Sequence, residues 1–248
     1  GGRNPMTIHH DKLAYGKLSS LTDEFSPERL EAMARELSEE ERDKPMREYD
    51  KMIAGQLYNP ADEELSAMRK RVRLLFGEYN RTTEDEQARR AELLAQMFGS
   101  HGSYFYCEPP VRFDYGINTH IGDNFFSNFN LVVLDCAPVH IGRQCFIGPN
   151  VSIVTPVHPL LACDRNMRQG PNGQKFDYEY ARPITIEDNV WLASNVVVCG
   201  GVTIGHDTVI GAGSVVTKDI PSGVFAAGNP CRVIRPLSEK DKMRLPNE

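Results

Sequence analysis

The chain has 248 residues, of which 40% are hydrophobic and 25% charged, and its formal net charge is −6. This length and apolar content suffice for a sizeable core, whereas an acidic chain is a poor partner for nucleic acid or an anionic membrane, because both require a basic surface. The sequence contains no run of about 18 apolar residues and no signal-peptide segment at its start, so we expect a cytoplasmic protein without a membrane partner.

The first 98 residues divide into an N-terminal extension, extended over residues 1–25, and a helical module. Residues 1–44 form an N-terminal extension in which "SPERLEAMAREL" (26–37) predicts a helix, because a serine cap is followed by proline at the first helical position. Residues 45–98 predict a module of three helices, "MREYDKMIAGQLY", "ADEELSAMRKRVRLLFGEY" and "TEDEQARRAELLAQMFG". The middle helix carries an apolar stripe of Leu65, Met68, Val72, Leu75, Phe76 and Tyr79. Its basic run "MRKRVR" (68–73) is interpreted as a solvated face.

Residues 99–235 change to a six-residue period. The repeated aliphatic positions are Ile141, Ile147 and Ile153, then Ile186, Leu192, Val198, Ile204, Ile210 and Val216. One aliphatic residue in six implies a short strand followed by a turn, and stacked turns of this kind form a solenoid with a buried aliphatic column. The spacing fails between Ile153 and Ile186, so residues 159–182 are predicted to leave the coil and rejoin it. Residues 236–248 are a C-terminal tail.

The six cysteines, at positions 107, 136, 145, 163, 199 and 231, form no CxxC pair. They fall within apolar stretches, which favours buried thiols over disulfides or zinc ligands. We therefore predict all six as part of the core.

The units "IEDNVW", "LASNVV", "IGHDTV" and "IGAGSV" resemble the hexapeptide-repeat acyltransferases. The segment "KMIAGQLYNPADEEL" (51–65) is similar to the N-terminal helical module of the maltose and galactoside O-acetyltransferases, and "EPPVRFDYGINTHIGDNFFSNFNLVVLDCAPVHIG" (108–142) is similar to their body. The resemblance implies a mainly β fold, a left-handed parallel β-helix preceded by a short helical module. It also implies a homotrimer with sites between subunits, a sugar acceptor, acetyl-CoA as the donor that is released as CoA, and no metal.

Transfer of an acetyl group to an alcohol needs a base, because a hydroxyl is a poor nucleophile until its proton is removed. The resemblance implies that this base is His158 in "TPVHP", where prolines stiffen the turn. The alternative is an ordinary histidine of a surface loop. Asn128 in "FSNFN" is implied to fix a sugar hydroxyl or the tetrahedral intermediate, and its alternative is a turn asparagine.

The acceptor is predicted from residues around these motifs. Asp114 in "FDYG" and Asp135 in "LDCAP" are carboxylates of the kind that hold sugar hydroxyls, although Asp135 could equally be a turn residue. Asp114, Phe126 and Cys136 are similar to the maltose and glucose type, whereas the galactoside type would favour serine, tyrosine and aspartate there. This resemblance implies acetylation of a primary hydroxyl, C6 of glucose, maltose or a relative.

The donor site is implied by the late coils. The resemblance places the pantetheine arm of coenzyme A near the small residues Ala193, Ser194 and Ala212, with Thr217 and Lys218 further along and Arg232 and Arg235 at the phosphates. Trp191, the only tryptophan, either packs at a corner or lines the donor cleft.

Three other functions are alternatives to a sugar acetyltransferase. A metal-dependent carbonic anhydrase on this fold needs three convergent histidines, and His120, His140, His158 and His206 lack its close paired spacing. A non-catalytic β-helix scaffold would keep the aliphatic column but has no reason to keep His158, Asn128 and the arginines together. An acetyltransferase for an antibiotic or amino acid is the third alternative, and the helical module favours a sugar instead.

Overall fold

The computed structural model describes residues 45–247, and the chain from Glu48 onward forms one compact unit. The predicted extension 1–44 and its helix at 26–37 lie outside the described residues. The helices are α1 (Glu48–Ile53), α2 (Glu63–Tyr79), α3 (Gln87–Met97) and α4 (Ala162–Arg165), and a 3-10 helix covers Glu239–Asp241. The strands are β1 (Phe105–Cys107), β2 (Val111–Phe113), β3 (Thr119–Ile121), β4 (Phe125–Ser127), β5 (Leu131–Leu134), β6 (Val139–Ile141), β7 (Phe146–Ile147), β8 (Ser152–Val154), β9 (Pro156–Val157), β10 (Arg168–Gln169), β11 (Lys175–Phe176), β12 (Tyr180–Ala181), β13 (Ile184–Ile186), β14 (Trp191–Leu192), β15 (Val197–Cys199), β16 (Thr203–Ile204), β17 (Val209–Ile210), β18 (Val215–Val216), β19 (Val224–Gly228) and β20 (Cys231–Pro236).

The three helices predicted in residues 45–98 are present. α2 begins after Asp62, whose side chain accepts a hydrogen bond from the Leu65 amide at 3.2 Å and so caps the helix. α1 is shorter than predicted because the chain turns at Gly55, whose φ of +76° is a conformation that glycine adopts without strain. The predicted stripe of α2 faces the core, with Leu65, Val72 and Tyr79 fully buried and Met68, Leu75 and Phe76 partly buried.

The remaining chain coils through three parallel sheets in a fixed order. Face A contains β1, β4, β7, β14, β17 and β19, with β20 antiparallel at its end; face B contains β2, β5, β8, β15 and β18; face C contains β3, β6, β13 and β16. Every complete turn of the chain adds one strand to each face. Backbone hydrogen bonds run between successive turns, as from the Gly142 amide to the Ile186 carbonyl at 2.8 Å. The chain is therefore a parallel β-helix of triangular section.

The predicted six-residue column is the interior of this coil. Its nine members, Ile141, Ile147, Ile153, Ile186, Leu192, Val198, Ile204, Ile210 and Val216, are all at most 3% exposed. Burial of an aliphatic side chain contributes about 1.5–3 kcal/mol, so the column is a main source of stability. The core continues into the helical module, because Val72, Tyr79, Leu93 and Leu94 belong to the same buried cluster.

Two of the three corners of the coil are made by residues with left-handed backbone. The A–B corner (residues 128–130, 148–150, 193–195 and 211–213) has Asn130, Asn150, Asn195 and Gly213 at φ between 60° and 74°. The C–A corner has Asn124, Gln144, Asn189 and Asp207 at φ between 56° and 60°. Asparagine and glycine tolerate this conformation better than other residues, which explains the turn-forming residues of each unit.

The coil is interrupted at the third, B–C, corner. After β8 the chain forms β9, leaves through α4 and the β10–β11 hairpin, and returns as β12, which pairs antiparallel with β9. The turn of the coil after the excursion stacks directly on the turn before it, since β13 pairs with β6 and β15 pairs with β8.

The cysteine prediction holds in part. All six thiols are free, and Cys107, Cys136, Cys145 and Cys231 are buried. Cys199 is half-buried, and the prediction is wrong for Cys163, which is exposed because it lies in α4 outside the coil. In residues 45–247 no helix combines the length and apolar character needed to cross a bilayer.

Candidate active site

His158 stands at the base of the excursion, between two carboxylates. The imidazole Nδ1 lies 3.6 Å from Asp177 Oδ2, and Nε2 lies 3.8 Å from Glu179 Oε2. The pairing of β9 with β12 places Val157 opposite Tyr180, so the next residue along, His158, faces Glu179. The side chain is 55% exposed, whereas the carboxylates are 19% and 13% exposed. An accessible imidazole held over two less exposed carboxylates can accept a proton and be stabilised as a cation.

Glu179 is fixed by Tyr58 from the helical module. The Tyr58 hydroxyl donates to Glu179 Oε1 at 2.7 Å, and the two residues also exchange backbone hydrogen bonds of 2.9 and 3.2 Å. Burial raises the pKa of Glu179, while the bond from Tyr58 and the attraction of His158 oppose this rise. Tyr58 is itself fully buried. Glu179 is therefore a rigid partner for the imidazole.

Asp114 belongs to the same cluster. Its Oδ2 accepts a hydrogen bond from the Cys136 thiol at 3.3 Å, and its carboxylate lies close enough to Glu179 to raise the pKa of that group. Burial raises the pKa of Asp114 above its ordinary range, and Cys136, Arg69 and Arg73 oppose the shift. The half-buried Asp114 carboxylate therefore lies within electrostatic reach of Glu179, the partner of His158.

Asp135 does not line this cluster, and the prediction that it contacts sugar is corrected. Its side chain is fully buried, Oδ1 accepts from the Tyr115 amide at 2.8 Å, and Oδ2 accepts from the Thr119 hydroxyl at 3.0 Å. Burial raises its pKa to about 6. Asp135 therefore takes its alternative role as a turn residue, which holds the loop after Asp114.

Asn128 lies on the A–B corner and is partly a turn residue. Its Oδ1 accepts a hydrogen bond from the Phe129 amide at 2.8 Å, which leaves the Nδ2 group as the donor for a ligand. Phe126, two residues earlier, is half-buried on the outside of face A, where its ring stacks on Tyr106 at a centroid distance of 6.3 Å. Neither residue lies in the cluster of His158 and Asp114.

The predicted site residues thus divide between two corners of the chain. Asp114, Cys136 and His158 each follow a strand of face B, so they stack along the B–C corner, with Thr217 and Lys218 further along. Asn128, Ala193, Ser194 and Ala212 each follow a strand of face A and stack along the A–B corner. The coil does not bring the two groups together within one chain.

The predicted donor residues form a strip with small side chains. Trp191 is 50% exposed on face A, which favours the cleft alternative over corner packing. Ser194 and Ala212 are accessible at the corner, whereas Ala193 is 8% exposed and its amide donates to the Ile210 carbonyl at 3.0 Å. Ala193 can therefore contact a ligand mainly through its backbone atoms. Thr217 and Lys218 are exposed.

The two predicted phosphate-binding arginines differ in their partners. Arg232 is exposed, and its Nη1 donates to the Cys231 carbonyl at 3.1 Å. Arg235 is held by Asp241, with hydrogen bonds of 2.6 and 2.9 Å from its two Nη groups. A phosphate at Arg235 would therefore have to share or displace that carboxylate.

Of the four histidines considered for a metal site, His120 and His140 lie in strands of face C. His120 and His140 stack at a centroid distance of 5.0 Å, and burial lowers the pKa of His120 to about 3. In residues 45–247, no group of three or more His, Cys, Asp or Glu side chains has an arrangement that could hold a metal ion.

Sequence reasoning missed Asp177, Glu179 and Tyr58. The alternation in "FDYEYA" (176–181) places Asp177 and Glu179 on the same side of an extended segment, just before the coil resumes. A search for carboxylates on the returning limb of the excursion would have found them. Tyr58 carried no such signal, because its contact depends on how the helical module packs.

Comparison with known proteins gives the family. Residues 51–102 match the maltose acetyltransferase hexapeptide capping motif, and residues 183–218 match the bacterial transferase hexapeptide with six repeats. A galactoside O-acetyltransferase of Escherichia coli is 44% identical over 193 residues, which cover 78% of this chain and 91% of that protein.

Solved structures agree with this similarity. A maltose O-acetyltransferase from Clostridium difficile is 43% identical with a TM-score of 0.73, over 79% of this chain and 100% of that one. A galactoside acetyltransferase in complex with coenzyme A is also 43% identical with a TM-score of 0.73, over 79% and 94%. The predicted fold class, a left-handed parallel β-helix preceded by a short helical module, is confirmed.

Proposed function

Because the chain belongs to the hexapeptide-repeat acetyltransferase family of the maltose and galactoside O-acetyltransferases, we propose that it transfers the acetyl group of acetyl-CoA to a sugar hydroxyl. The observation that carries this proposal is His158, accessible between the carboxylates of Asp177 and Glu179. The helical module, the coil and the excursion all contribute to that arrangement.

His158 is the general base in this proposal. It accepts the proton of the sugar hydroxyl while that oxygen forms a bond to the thioester carbonyl carbon, and Glu179 and Asp177 stabilise the resulting imidazolium. The Nδ2 group of Asn128 donates a hydrogen bond to the oxyanion of the tetrahedral intermediate. When the carbon–sulfur bond breaks, His158 returns the proton to the sulfur, which leaves as the thiol of CoA.

The acceptor is proposed to be glucose, maltose or a close relative, acetylated on the primary C6 hydroxyl. Asp114 holds a ring hydroxyl beside the base, and Cys136 keeps the Asp114 carboxylate in place through its 3.3 Å bond. Phe126 lies near Asn128 on face A and contributes an apolar surface to the sugar.

The donor is proposed to lie along the A–B corner and face A. Trp191, Ser194 and Ala212 present a half-exposed ring and small side chains to the pantetheine arm, and the backbone at Ala193 lies beside them. Thr217 and Lys218 approach the donor from the B–C corner, and Arg232 and Arg235 meet the phosphates. No step of this reaction requires a metal.

A homotrimer is proposed because one chain holds only half of each site. The base and Asp114 lie on the B–C corner, whereas Asn128 and the small residues lie on the A–B corner. Threefold symmetry can set the B–C corner of one prism against the A–B corner of the next and so complete three identical sites. Sedimentation at micromolar concentration should give a trimer, and a fully active monomer would contradict this assembly.

One assay tests the whole proposal. Purified protein is incubated with acetyl-CoA and a panel of glucose, maltose, methyl galactoside, an aminoglycoside and an amino acid, and release of the CoA thiol is followed. We expect turnover with glucose and maltose above methyl galactoside, and NMR of the product should locate the acetyl group on C6. Thiol release only with the antibiotic or the amino acid would favour those acceptors instead.

A further inference from the structure

A group of three cations on α2 lines a depression beside the proposed acceptor site. Arg69, Lys70 and Arg73 share it with Ser66 and Leu74. They come from the basic run that the sequence alone presented as a solvated face. Arg69 departs from that interpretation, because it is half-buried and donates a 2.8 Å hydrogen bond to the Tyr115 hydroxyl.

Within residues 45–247, Arg69, Lys70 and Arg73 lack the acidic partners that Lys51, Arg89 and Arg90 have. Ion pairs of 2.6 to 3.2 Å join Lys51 to Glu48, Arg89 to Glu78 and Glu92, and Arg90 to Glu84. Among residues 45–247, no carboxylate lies within ion-pairing distance of Arg69, Lys70 or Arg73. In a chain with a net charge of −6, three neighbouring cations without carboxylates form an attractive place for an anion.

The depression connects to the base through a short series of contacts. Arg69 holds Tyr115, the neighbour of Asp114, and both Arg69 and Arg73 act electrostatically on the Asp114 carboxylate. Asp114 in turn acts on Glu179, which faces His158. An acceptor whose hydroxyl reaches His158 and whose ring rests on Asp114 would therefore extend its far end toward the three cations.

We propose that Arg69, Lys70 and Arg73 bind an anionic substituent, a phosphate or a carboxylate, carried by the acceptor at the end remote from the hydroxyl that is acetylated. This inference rests on the proposed function and specifies its substrate class as an anionic sugar.

The chemistry of the three side chains fits that role. A guanidinium offers parallel N–H donors that match two oxygens of a phosphate or carboxylate, and a lysine adds a mobile point charge. Arg69 is held in place by Tyr115 and by Ser66 Oγ at 3.2 Å, so little ordering is needed when the anion arrives. The positive charge of these three side chains would not increase the affinity for a neutral sugar. It would attract an anionic sugar toward the site.

The test compares acceptors that differ only in charge at the remote end. Methyl α-glucoside and glucose 1-phosphate form one pair, and the 4-nitrophenyl and 4-carboxyphenyl glucosides form the other. In the wild type we expect kcat/KM to be about 10- to 100-fold higher for the anionic member, falling as salt concentration rises. The pair with the larger ratio identifies phosphate or carboxylate as the preferred group. Equal values within both pairs would overturn the proposal.

Two variants locate the effect. Lys70→Gln combined with Arg73→Gln should reduce the preference for the anionic sugars, measured as the ratio of kcat/KM values within each pair, by about tenfold or more. Arg71→Gln removes one charge from the same helix outside the depression, where Arg71 donates to the Gln96 carbonyl at 2.9 Å, and should leave the preference unchanged. Equal losses for charged and neutral acceptors, or an equal loss in Arg71→Gln, would contradict the anion site.

A binding measurement separates this inference from the proposed function. Titration of glucose 1-phosphate into the protein by calorimetry requires no turnover, and we expect binding that weakens at least tenfold in the Lys70→Gln, Arg73→Gln double variant. Binding of this kind without acetyl transfer would refute the proposed reaction and keep the anion site. Transfer to neutral sugars without such binding would refute the anion site and keep the reaction.

Discussion

Tyr58 and Glu179 are joined by three hydrogen bonds, two between their backbones and a 2.7 Å bond from the tyrosine hydroxyl to the carboxylate. Tyr58→Phe removes only the last of these. Since that bond lowers the pKa of Glu179 against the effect of burial, its loss should raise the pKa further. Glu179 would then be protonated at a higher pH, and the acid side of the kcat/KM profile should move upward. We also expect kcat to fall about three- to tenfold.

The control for this variant is its thermal unfolding, which shows whether the fold persists. Tyr58→Phe also leaves the buried part of the ring in place, so cavity formation is avoided. An acid limb at the same pH as in the wild type would show that Glu179 does not act on the base.

His158→Ala tests the base directly. The side chain is 55% exposed, so its loss should not change the fold, whereas kcat should fall by roughly 10²- to 10⁴-fold. The KM for acetyl-CoA should remain the same. His206→Ala is the matched control, because the His206 side chain is also exposed and its ring lies 2.6 Å from the Asp207 carboxylate, just as the His158 ring lies beside carboxylates. More than half of the activity remaining in His158→Ala would reject the assignment.

Asp114→Asn tests the acceptor site. The substitution keeps the shape and an oxygen acceptor for the Cys136 thiol but removes the charge. A charge-assisted hydrogen bond to a neutral hydroxyl is worth about 1.5–3 kcal/mol, so kcat/KM for the sugar should fall roughly 10- to 100-fold while the KM for acetyl-CoA stays constant. Asp188→Asn, at an exposed carboxylate on the C–A corner, should change neither constant. An unchanged sugar constant in Asp114→Asn would remove Asp114 from the site.

Asp135→Asn should affect folding with a defined pH dependence. Burial raises the folded-state pKa of Asp135 from 3.8 to about 6, so the folded state takes up its proton more readily than the unfolded state. Its contribution to stability is therefore greatest below pH 4 and declines as the pH rises to 6, by roughly 2–3 kcal/mol. Urea unfolding of both proteins should show the wild type losing stability relative to Asp135→Asn across this interval and no further change above pH 7. A difference independent of pH would mean that the pKa of Asp135 is the same in the folded and unfolded states.

Arg235→Ala tests the donor phosphates. If Arg235 meets them, its loss should raise the KM for acetyl-CoA about tenfold and leave the KM for the sugar unchanged. Asp241→Asn should lower the KM for acetyl-CoA a fewfold, because Arg235 would no longer exchange its 2.6 Å partner for a phosphate. A higher KM for acetyl-CoA in both variants would show instead that Asp241 positions Arg235 for the donor, and an unchanged KM in Arg235→Ala would remove Arg235 from the donor site.

The periodic parts of the molecule could be predicted from sequence, since each six-residue unit repeats one buried aliphatic residue followed by a turn. Ile186 and Leu192 are buried because one strand residue per unit faces inward. Asn189 and Asn195, three residues after each of them, form the turns because asparagine tolerates positive φ. The burial of these aliphatic residues and the formation of these turns depend only on nearby residues in the chain and in the adjacent turn of the coil. The prediction for His158 rests on the break in this period and on the resemblance of "TPVHP" to the turn of the related enzymes.

The carboxylates around His158 could not be predicted from the six-residue period, because their positions depend on contacts between distant parts of the chain. Glu179 meets His158 because the excursion closes on itself, and Tyr58 meets Glu179 across 121 positions of sequence. We predicted that Asp135 contacts the sugar because carboxylates commonly bind sugar hydroxyls. Its side chain is instead fully buried and holds a backbone turn. Sequence alone also could not reveal that Asn128 and His158 occupy different corners, since that requires the order of the three faces.

β6 pairs with β13 and β8 pairs with β15, so the excursion is an insertion in an otherwise continuous coil. The entropy of closing a loop grows only slowly with its length, so segments of different size could be exchanged between β9 and β12 at a cost of less than about 1 kcal/mol per doubling. The carboxylates around the base sit on the returning limb of that segment. Grafted loops would therefore retune the environment of His158 while leaving the scaffold intact, which makes this junction the natural point for engineering new acceptors.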